Sequence, residues 1–173
     1  MKKTSSLSPV PQEILHGKVK LRLATQYGAR AADIPARSTF RKWIKAALVH
    51  DAEIGLRVVD EAEGRSLNRN FRGRDYATNV LTFIYDDAGA SAQFLTGDIV
   101  LCAPVIEREA REQHKNLTAH YAHLTVHGVL HLQGYEHEND VEAVAMERME
   151  TGIVERLGYE NPYRDSSGIL EES

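Results

Sequence analysis

The chain is poor in cysteine, in aromatic residues and in long hydrophobic runs. It has one cysteine, Cys102, among 173 residues, so no disulfide can form within the chain, which favours a reducing compartment. No apolar run approaches the ~20 residues that would span a bilayer. We therefore expect a cytoplasmic protein without a membrane partner.

Basic residues are also in the minority, with 21 Lys and Arg against 25 Asp and Glu and a net charge of −4. This balance disfavours nucleic-acid binding over the whole surface. The charges are uneven, however, because four arginines and no acid lie from Arg65 to Arg74, whereas acids concentrate after residue 135. A locally basic face on an acidic protein is compatible with docking one anionic ligand at one place.

Hydrophobic periodicity predicts the element order β-α-β-α-β-β-α-α-α. The length suits one domain, and we expect it to cover residues 17–163, with a mobile arm at 1–16 and a flexible tail at 164–173. The fold class is α/β (α+β), a small mixed four-stranded sheet packed against about five helices. The predicted strands and helices are, in chain order, 18–23, 38–48, 54–58, 63–71, 79–85, 97–103, 104–115, 117–132 and 140–157.

Local patterns make further predictions about these elements. Ser38 is expected to cap the first helix, and Leu67 and Phe71 are expected to face the core from the second. The loop between the third and fourth strands is rich in Asp, Gly, Ala and Ser, which predicts a hairpin. The apolar face of the last helix is predicted to consist of Met146, Met149, Ile153 and Leu157.

Three histidines form the most informative pattern in the chain. His127 and His131 are four residues apart, so they leave the same face of a helix. Gly134 permits a sharp turn that can return His137 toward them. Three converging imidazoles favour zinc with an open fourth position, which suits catalysis. His120 and His123 are expected to pack nearby, since three protein ligands suffice.

The same spacing occurs in the zinc-protease pattern H-E-x-x-H-x-x-G-x-x-H. Those proteases keep a glutamate general base after the first histidine, where this chain has Gly128. The three ligands are therefore present without that base, which argues for a zinc hydrolase of another kind.

The run from His127 to His137 resembles the signature H-G-x-L-H-L-x-G-Y-D-H of the YbeY family of bacterial rRNA maturation factors, described as single-strand-specific zinc endoribonucleases. The segments 67–72, 78–83, 97–100 and 158–163 also resemble family motifs, so the likeness covers roughly residues 50–163. Glu136 and Thr82 stand where the family usually has Asp and Ser.

The resemblance implies that His127, His131 and His137 bind one Zn²⁺ per chain and that Arg72 is the key polar residue across the cleft. An arginine fork pairs bidentately with phosphate, which supports a role for Arg72 at an RNA phosphodiester. Arg69 and Arg74 are weaker candidates for contacts with the RNA backbone. Aromatic platforms for stacking bases are not evident in the sequence.

Two mechanisms remain open. In the first, metal-activated water attacks phosphorus while Arg72 stabilises the transition state. In the second, the 2′-OH of the substrate attacks. The proton acceptor is also open, with Glu136, Asp140 and a zinc-bound hydroxide as options.

The resemblance implies RNA as substrate, specifically single-stranded regions of ribosomal RNA. It further implies the small subunit or its assembly proteins as partners, with roles in 3′-end processing of small-subunit rRNA and in ribosome quality control. Two other classes of function remain. One is a non-catalytic, metal-stabilised ribosome-assembly factor, and the other is a protease-like hydrolase, which Gly128 disfavours.

Overall fold

A computed structural model describes residues 19–30, 33–85 and 94–163. The predicted N-terminal arm at 1–16, the tail at 164–173 and the loop at 86–93 lie outside the described residues. The domain limits therefore stay a prediction.

A mixed four-stranded sheet forms the centre of the described part of the chain. Its strands are β1 (Leu21–Tyr27), β2 (Asp51–Val59), β3 (Val80–Ile84) and β4 (Phe94–Cys102), in the spatial order β1-β2-β4-β3. β1 and β4 each pair in parallel with β2, and β3 pairs antiparallel with β4. The predicted mixed sheet, with its antiparallel β3–β4 pair, is confirmed.

Five helices accompany the sheet within the described residues. They are α1 (Arg37–Ala47), α2 (Glu61–Arg72), α3 (Ala103–Glu112), α4 (Leu117–Leu132) and α5 (Asp140–Arg156). The predicted element order is confirmed, and the histidine helix has the predicted bounds of 117–132.

The two faces of the sheet carry different helices. Alternate β2 and β4 residues such as Ile54, Leu56 and Ile99 belong to the main core with α1, α4 and α5. The opposite alternation, with Val59 and Val100, builds a smaller cluster under α2 and α3. Helix α4 is buried on most of its circumference, which is typical of a helix enclosed by other elements. Its buried polar residues, His120, His123 and Thr125, therefore meet protein rather than solvent.

Three local predictions are wrong. Helix α1 begins at Arg37 with Ala36 as N-cap rather than Ser38, because the Arg37 guanidinium docks the first turn by donating to the Leu23 carbonyl at 2.6 Å. Phe71 is 65% exposed, since it lies in the last turn of α2 and meets the sheet at an edge contact with Phe83.

Met149 is the third exception, because it is exposed while Met146 and Ile153 are buried. The buried face of α5 instead consists of Met146, Glu150, Ile153 and Val154. Strand β1 also lies further along the chain than predicted, at Leu21–Tyr27 rather than 18–23. Its pairing with β2 extends as far as Tyr27 and Val58.

Candidate metal centre

Helix α4 and the turn after it bring the three predicted histidines together. His127 and His131 leave the last two turns of α4, and Gly134 then adopts a φ of 101°, which reverses the chain. The Nε2 atoms of His127 and His131 are 3.1 Å apart. The His137 ring centroid lies 5.8 Å from that of His127 and 5.0 Å from that of His131.

The donor set fits a metal ion. One ligand nitrogen from each of the three histidines lies within 4.8 Å of the others, as three imidazoles around one ion require. His127 and His131 are partly buried and His137 is exposed, so the site faces solvent on one side. Burial lowers the pKa of His131, and the neighbouring His127 and His137 lower it further, which favours the neutral form that binds metals.

Gln133 fixes the end of α4 beneath this site. Its side-chain amide donates to the Ala47 carbonyl at 2.7 Å and accepts from the Val49 amide at 2.9 Å. The C-terminal ends of α1 and α4 are thereby joined, which restrains the turn that carries His137.

Gly128 points away from the open side of the centre. A Cβ atom at this position would lie 3.3 Å from the Ile99 and Thr82 side chains of the sheet. A side chain after the first histidine would therefore enter the packed helix–sheet contact. This is the structural reason why the position occupied by a glutamate base in proteases is glycine here.

Sequence reasoning missed Glu150, which contacts the back of the centre. The Glu150 carboxylate is fully buried, and its Oε2 is in a very short contact with Nδ1 of His127. Its Oε1 lies 3.1 Å from Nε2 of His123 and accepts a short hydrogen bond from the Tyr163 hydroxyl. The sequence signal that could have revealed it was an acid spaced to fall on the predicted apolar face of α5. Charged residues are rarely buried without a partner.

These partners determine the charge of Glu150. Burial alone would raise the pKa of the carboxyl, but hydrogen bonds from His123 and His127 lower it to about 2. Burial also lowers the pKa of His123 despite its contact with Glu150. The carboxylate is thus ionised near neutral pH and acts only as an acceptor.

The structure places the predicted arginines elsewhere. Arg72 is exposed in the last turn of α2, which packs on the sheet face opposite α4. No hydrogen bond or ion pair between described residues links it to the three histidines. Arg69 lies 3.6 Å from Asp75, and Arg74 donates to the Tyr76 hydroxyl at 3.3 Å.

Asp75 also forms an ion pair with Arg65. The Arg65 guanidinium binds both Asp75 oxygens, at 2.8 and 3.0 Å. The basic run from Arg65 to Arg74 is therefore partly neutralised by the residue that follows it. Because β3 is the edge strand next to α2, this surface lies at one border of the sheet.

Among the described residues, no helix combines the length and apolarity that crossing a membrane requires.

Fold and site together define a small α/β protein with an open three-histidine centre able to hold one metal ion. The sequence model of the family described as endoribonuclease YbeY matches residues 26–158. The chain belongs to this family. The match includes much of the N-terminal third, for which the sequence motifs gave only a pattern of elements.

Relatives agree with this assignment, and a solved structure shares the fold. The chain is 58% identical to "Endoribonuclease YbeY" of Nitrosospira multiformis over 155 residues, covering 83% of this chain and 82% of the relative. It is 57% identical to that of Nitrosomonas europaea over 157 residues, covering 91% and 93%. A solution structure of a Thermotoga maritima protein shares the fold with a TM-score of 0.53 at 24% identity, covering 88% of this chain and 95% of that one.

Proposed function

We propose that this protein is a zinc-dependent endoribonuclease that cuts single-stranded RNA. Its role would lie in 3′-end maturation of small-subunit ribosomal RNA and in ribosome quality control, in the cytoplasm. The observation that carries the proposal is the open three-histidine centre in a chain whose relatives are named endoribonucleases. The buried single cysteine is consistent with a reducing compartment.

In this proposal His127, His131 and His137 hold one Zn²⁺ per chain within a domain of residues 17–163. A zinc ion there would polarise a phosphoryl oxygen or lower the pKa of a bound water toward ~7. The three histidines would be the protein ligands of this ion. The site faces solvent where His137 is exposed. Glu136 and Asp140 are both exposed, so both stay candidate proton acceptors.

Arg72 is proposed to pair with a substrate phosphate and stabilise the transition state. Its exposure leaves the guanidinium available for bidentate phosphate binding. Since α2 and α4 lie on opposite faces of the sheet, the RNA strand would have to pass around the β3 edge to meet both groups. Arg69 and Arg74 would contact the backbone along that path, with the small subunit or its assembly proteins as further partners and no membrane.

The test uses pure, ribonuclease-free protein with unstructured RNA and with a peptide pool, each with and without a chelator. We expect RNA cleavage, abolished by the chelator and by His131→Ala, reduced by Arg72→Ala, and no peptide cleavage. Arg111→Ala is the matched control, because Arg111 is an exposed arginine in the last turn of α3. A chain that never cuts RNA, yet unfolds when zinc is removed, would instead support the non-catalytic assembly factor.

Product ends decide between the two mechanisms. Attack by water leaves no cyclic phosphate, so a 2′,3′-cyclic phosphate on the product would contradict water attack and favour the substrate 2′-OH.

Asp75→Asn provides a separate test of the arginine surface. Freeing Arg65 and Arg69 is expected to tighten RNA binding and steepen its salt dependence, by a log–log slope of about 0.7 per added phosphate contact.

A further inference from the structure

We propose that Glu150 is a positioning residue of the metal centre, which holds His127 with its proton on Nδ1 and its Nε2 lone pair toward His131 and His137. The inference rests on the proposed function, because it concerns the same three-histidine site. His123 and Tyr163 in turn hold Glu150 in place.

The tautomer of His127 follows from its two contacts. Nδ1 meets the Glu150 carboxylate and Nε2 lies 3.1 Å from Nε2 of His131. Nδ1 faces a carboxylate oxygen, which accepts a hydrogen bond, whereas Nε2 faces the Nε2 atom of another imidazole, so these contacts place the His127 proton on Nδ1. Nε2 is then unprotonated on the side where the other two histidines converge, which is the form a metal ligand needs.

Glu150 is itself held rigidly. Its two oxygens are engaged by three side chains, with His127 at Oε2 and His123 and Tyr163 at Oε1. The carboxylate is fully buried between α4 and α5, where an unpaired charge would be costly. Both oxygens thus have partners within the protein, which holds Glu150 as an acceptor for His127.

A competing arrangement is a second metal ion bound by His123, His127 and Glu150, whose ligand atoms also lie within 4.8 Å of one another. The hydrogen bonds among these groups already account for their approach without an ion. The number of zinc ions bound per chain separates the two arrangements.

The same helix contains a matched control. His120 is buried on α4, and its Nε2 lies 2.9 Å from the Glu109 carboxylate of α3. Glu109 is held further by the Asn79 amide at 3.0 Å. This carboxylate–histidine pair resembles Glu150 and His123 in chemistry, although the Glu109 side chain is 27% exposed and that of Glu150 is fully buried. No hydrogen bond between described residues connects it to the three histidines. Removing its charge tests the structural effect alone.

Tyr163 extends the network beyond α5. Gly158 reverses the chain with a φ of 100°, and the following segment brings the Tyr163 hydroxyl to Glu150 and within 3.3 Å of His123. Tyr163→Phe deletes this hydroxyl while keeping the ring, so it perturbs Glu150 with little change in packing.

The experiment measures zinc dissociation constants by chelator competition for the wild type, Glu150→Gln, Glu150→Leu, Tyr163→Phe and Glu109→Gln. We expect one zinc per chain, binding about tenfold weaker in Glu150→Gln and about 100-fold weaker in Glu150→Leu. Tyr163→Phe should be weakened less than Glu150→Gln, and Glu109→Gln should match the wild type. The proposal would be overturned if both Glu150 variants bound zinc as tightly as the wild type does, or if Glu109→Gln lost as much affinity as Glu150→Gln. Two zinc ions per chain would overturn it as well.

The tautomer is read independently from ¹⁵N chemical shifts of His127 in metal-free protein. We expect Nδ1–H in the wild type and a mixture in Glu150→Leu, and an unchanged tautomer in that variant would overturn the proposal. If Glu150→Leu does not fold, Glu150→Gln and Tyr163→Phe carry the affinity test. A wild-type chain that binds no zinc refutes the metal site itself, while the tautomer still decides whether Glu150 orients His127.

Discussion

At the scale of single residues, Gly128 determines how closely α4 approaches the sheet. Its missing side chain lets the helix backbone pack against Ile99 and Thr82, and Ile99 is fully buried. The face of α4 that carries His127 and His131 can then meet the open side while most of the helix stays enclosed.

We expect Gly128→Val to lower the free energy of unfolding by about 1–3 kcal/mol, because the added methyl groups overpack a rigid contact. Gly152→Val is the control, since the position lies in α5 and a Cβ there meets only the end of the Arg156 side chain, at 3.5 Å. Chemical denaturation measures both variants. A Gly128 variant as stable as the Gly152 variant would refute the close helix–sheet contact.

Glu109 provides a pH-dependent contribution at the same scale. Burial raises the pKa of its carboxyl, but hydrogen bonds from His120 and Asn79 outweigh burial and leave it below its ordinary value. A carboxyl whose pKa is lowered in the folded state stabilises the fold above its unfolded pKa, and this stabilisation is lost as the pH falls.

The wild type should therefore lose more unfolding free energy than Glu109→Gln when metal-free protein is taken from about pH 6 to about pH 3. Denaturant titrations at each pH give the difference between the two chains. Parallel pH profiles would show that the contacts of Glu109 do not favour its ionised form.

At the scale of elements, helix starts differ in how they are capped. The Asn116 and Asn139 side chains accept from the third backbone amide of α4 and α5, and Asp60 does the same for α2. Ala36 before α1 has no side-chain cap, although its φ of −73° and ψ of 160° suit an N-cap residue.

Asn139→Ala should cost about 1 kcal/mol of stability, whereas Ala36→Asp should add roughly 0.5–1 kcal/mol. The second change supplies an acceptor and a negative charge at the start of α1. Thermal unfolding midpoints are expected to move in opposite directions. A shift in the same direction for both variants would contradict the capping assignment.

Element type and order could be predicted from sequence because they depend on local periodicity and on turn residues such as Gly134 and Gly158. Helix α4 is the clearest case, with Asn116 as cap and an apolar sequence to Leu132. The first residue of α1 could not be predicted in this way, because the Arg37 contact with Leu23 joins two separate elements. The predicted burial of Phe71 was wrong for a similar reason, since it depends on how far α2 covers the sheet.

At the scale of the whole molecule, the sheet separates the candidate site into two parts. The histidines could be associated from spacing alone, because they lie within one helix and its turn. The contact of Glu150 with His127 could not be predicted in this way, because the two residues lie on different helices. The pairing of Asp75 with Arg65 and Arg69 depends on the turn after α2. Which face carries α2 was not encoded in any local pattern, so the placement of Arg72 required the structure.

The central claim is that one metal ion held by the three histidines enables RNA cleavage. The most direct measurement adds zinc stepwise to metal-free protein and follows the cleavage rate of unstructured RNA. We predict a rate that rises linearly, reaches a plateau at one zinc per chain and stays at background in His131→Ala. Full cleavage without metal, or equal cleavage by His131→Ala, would contradict the account.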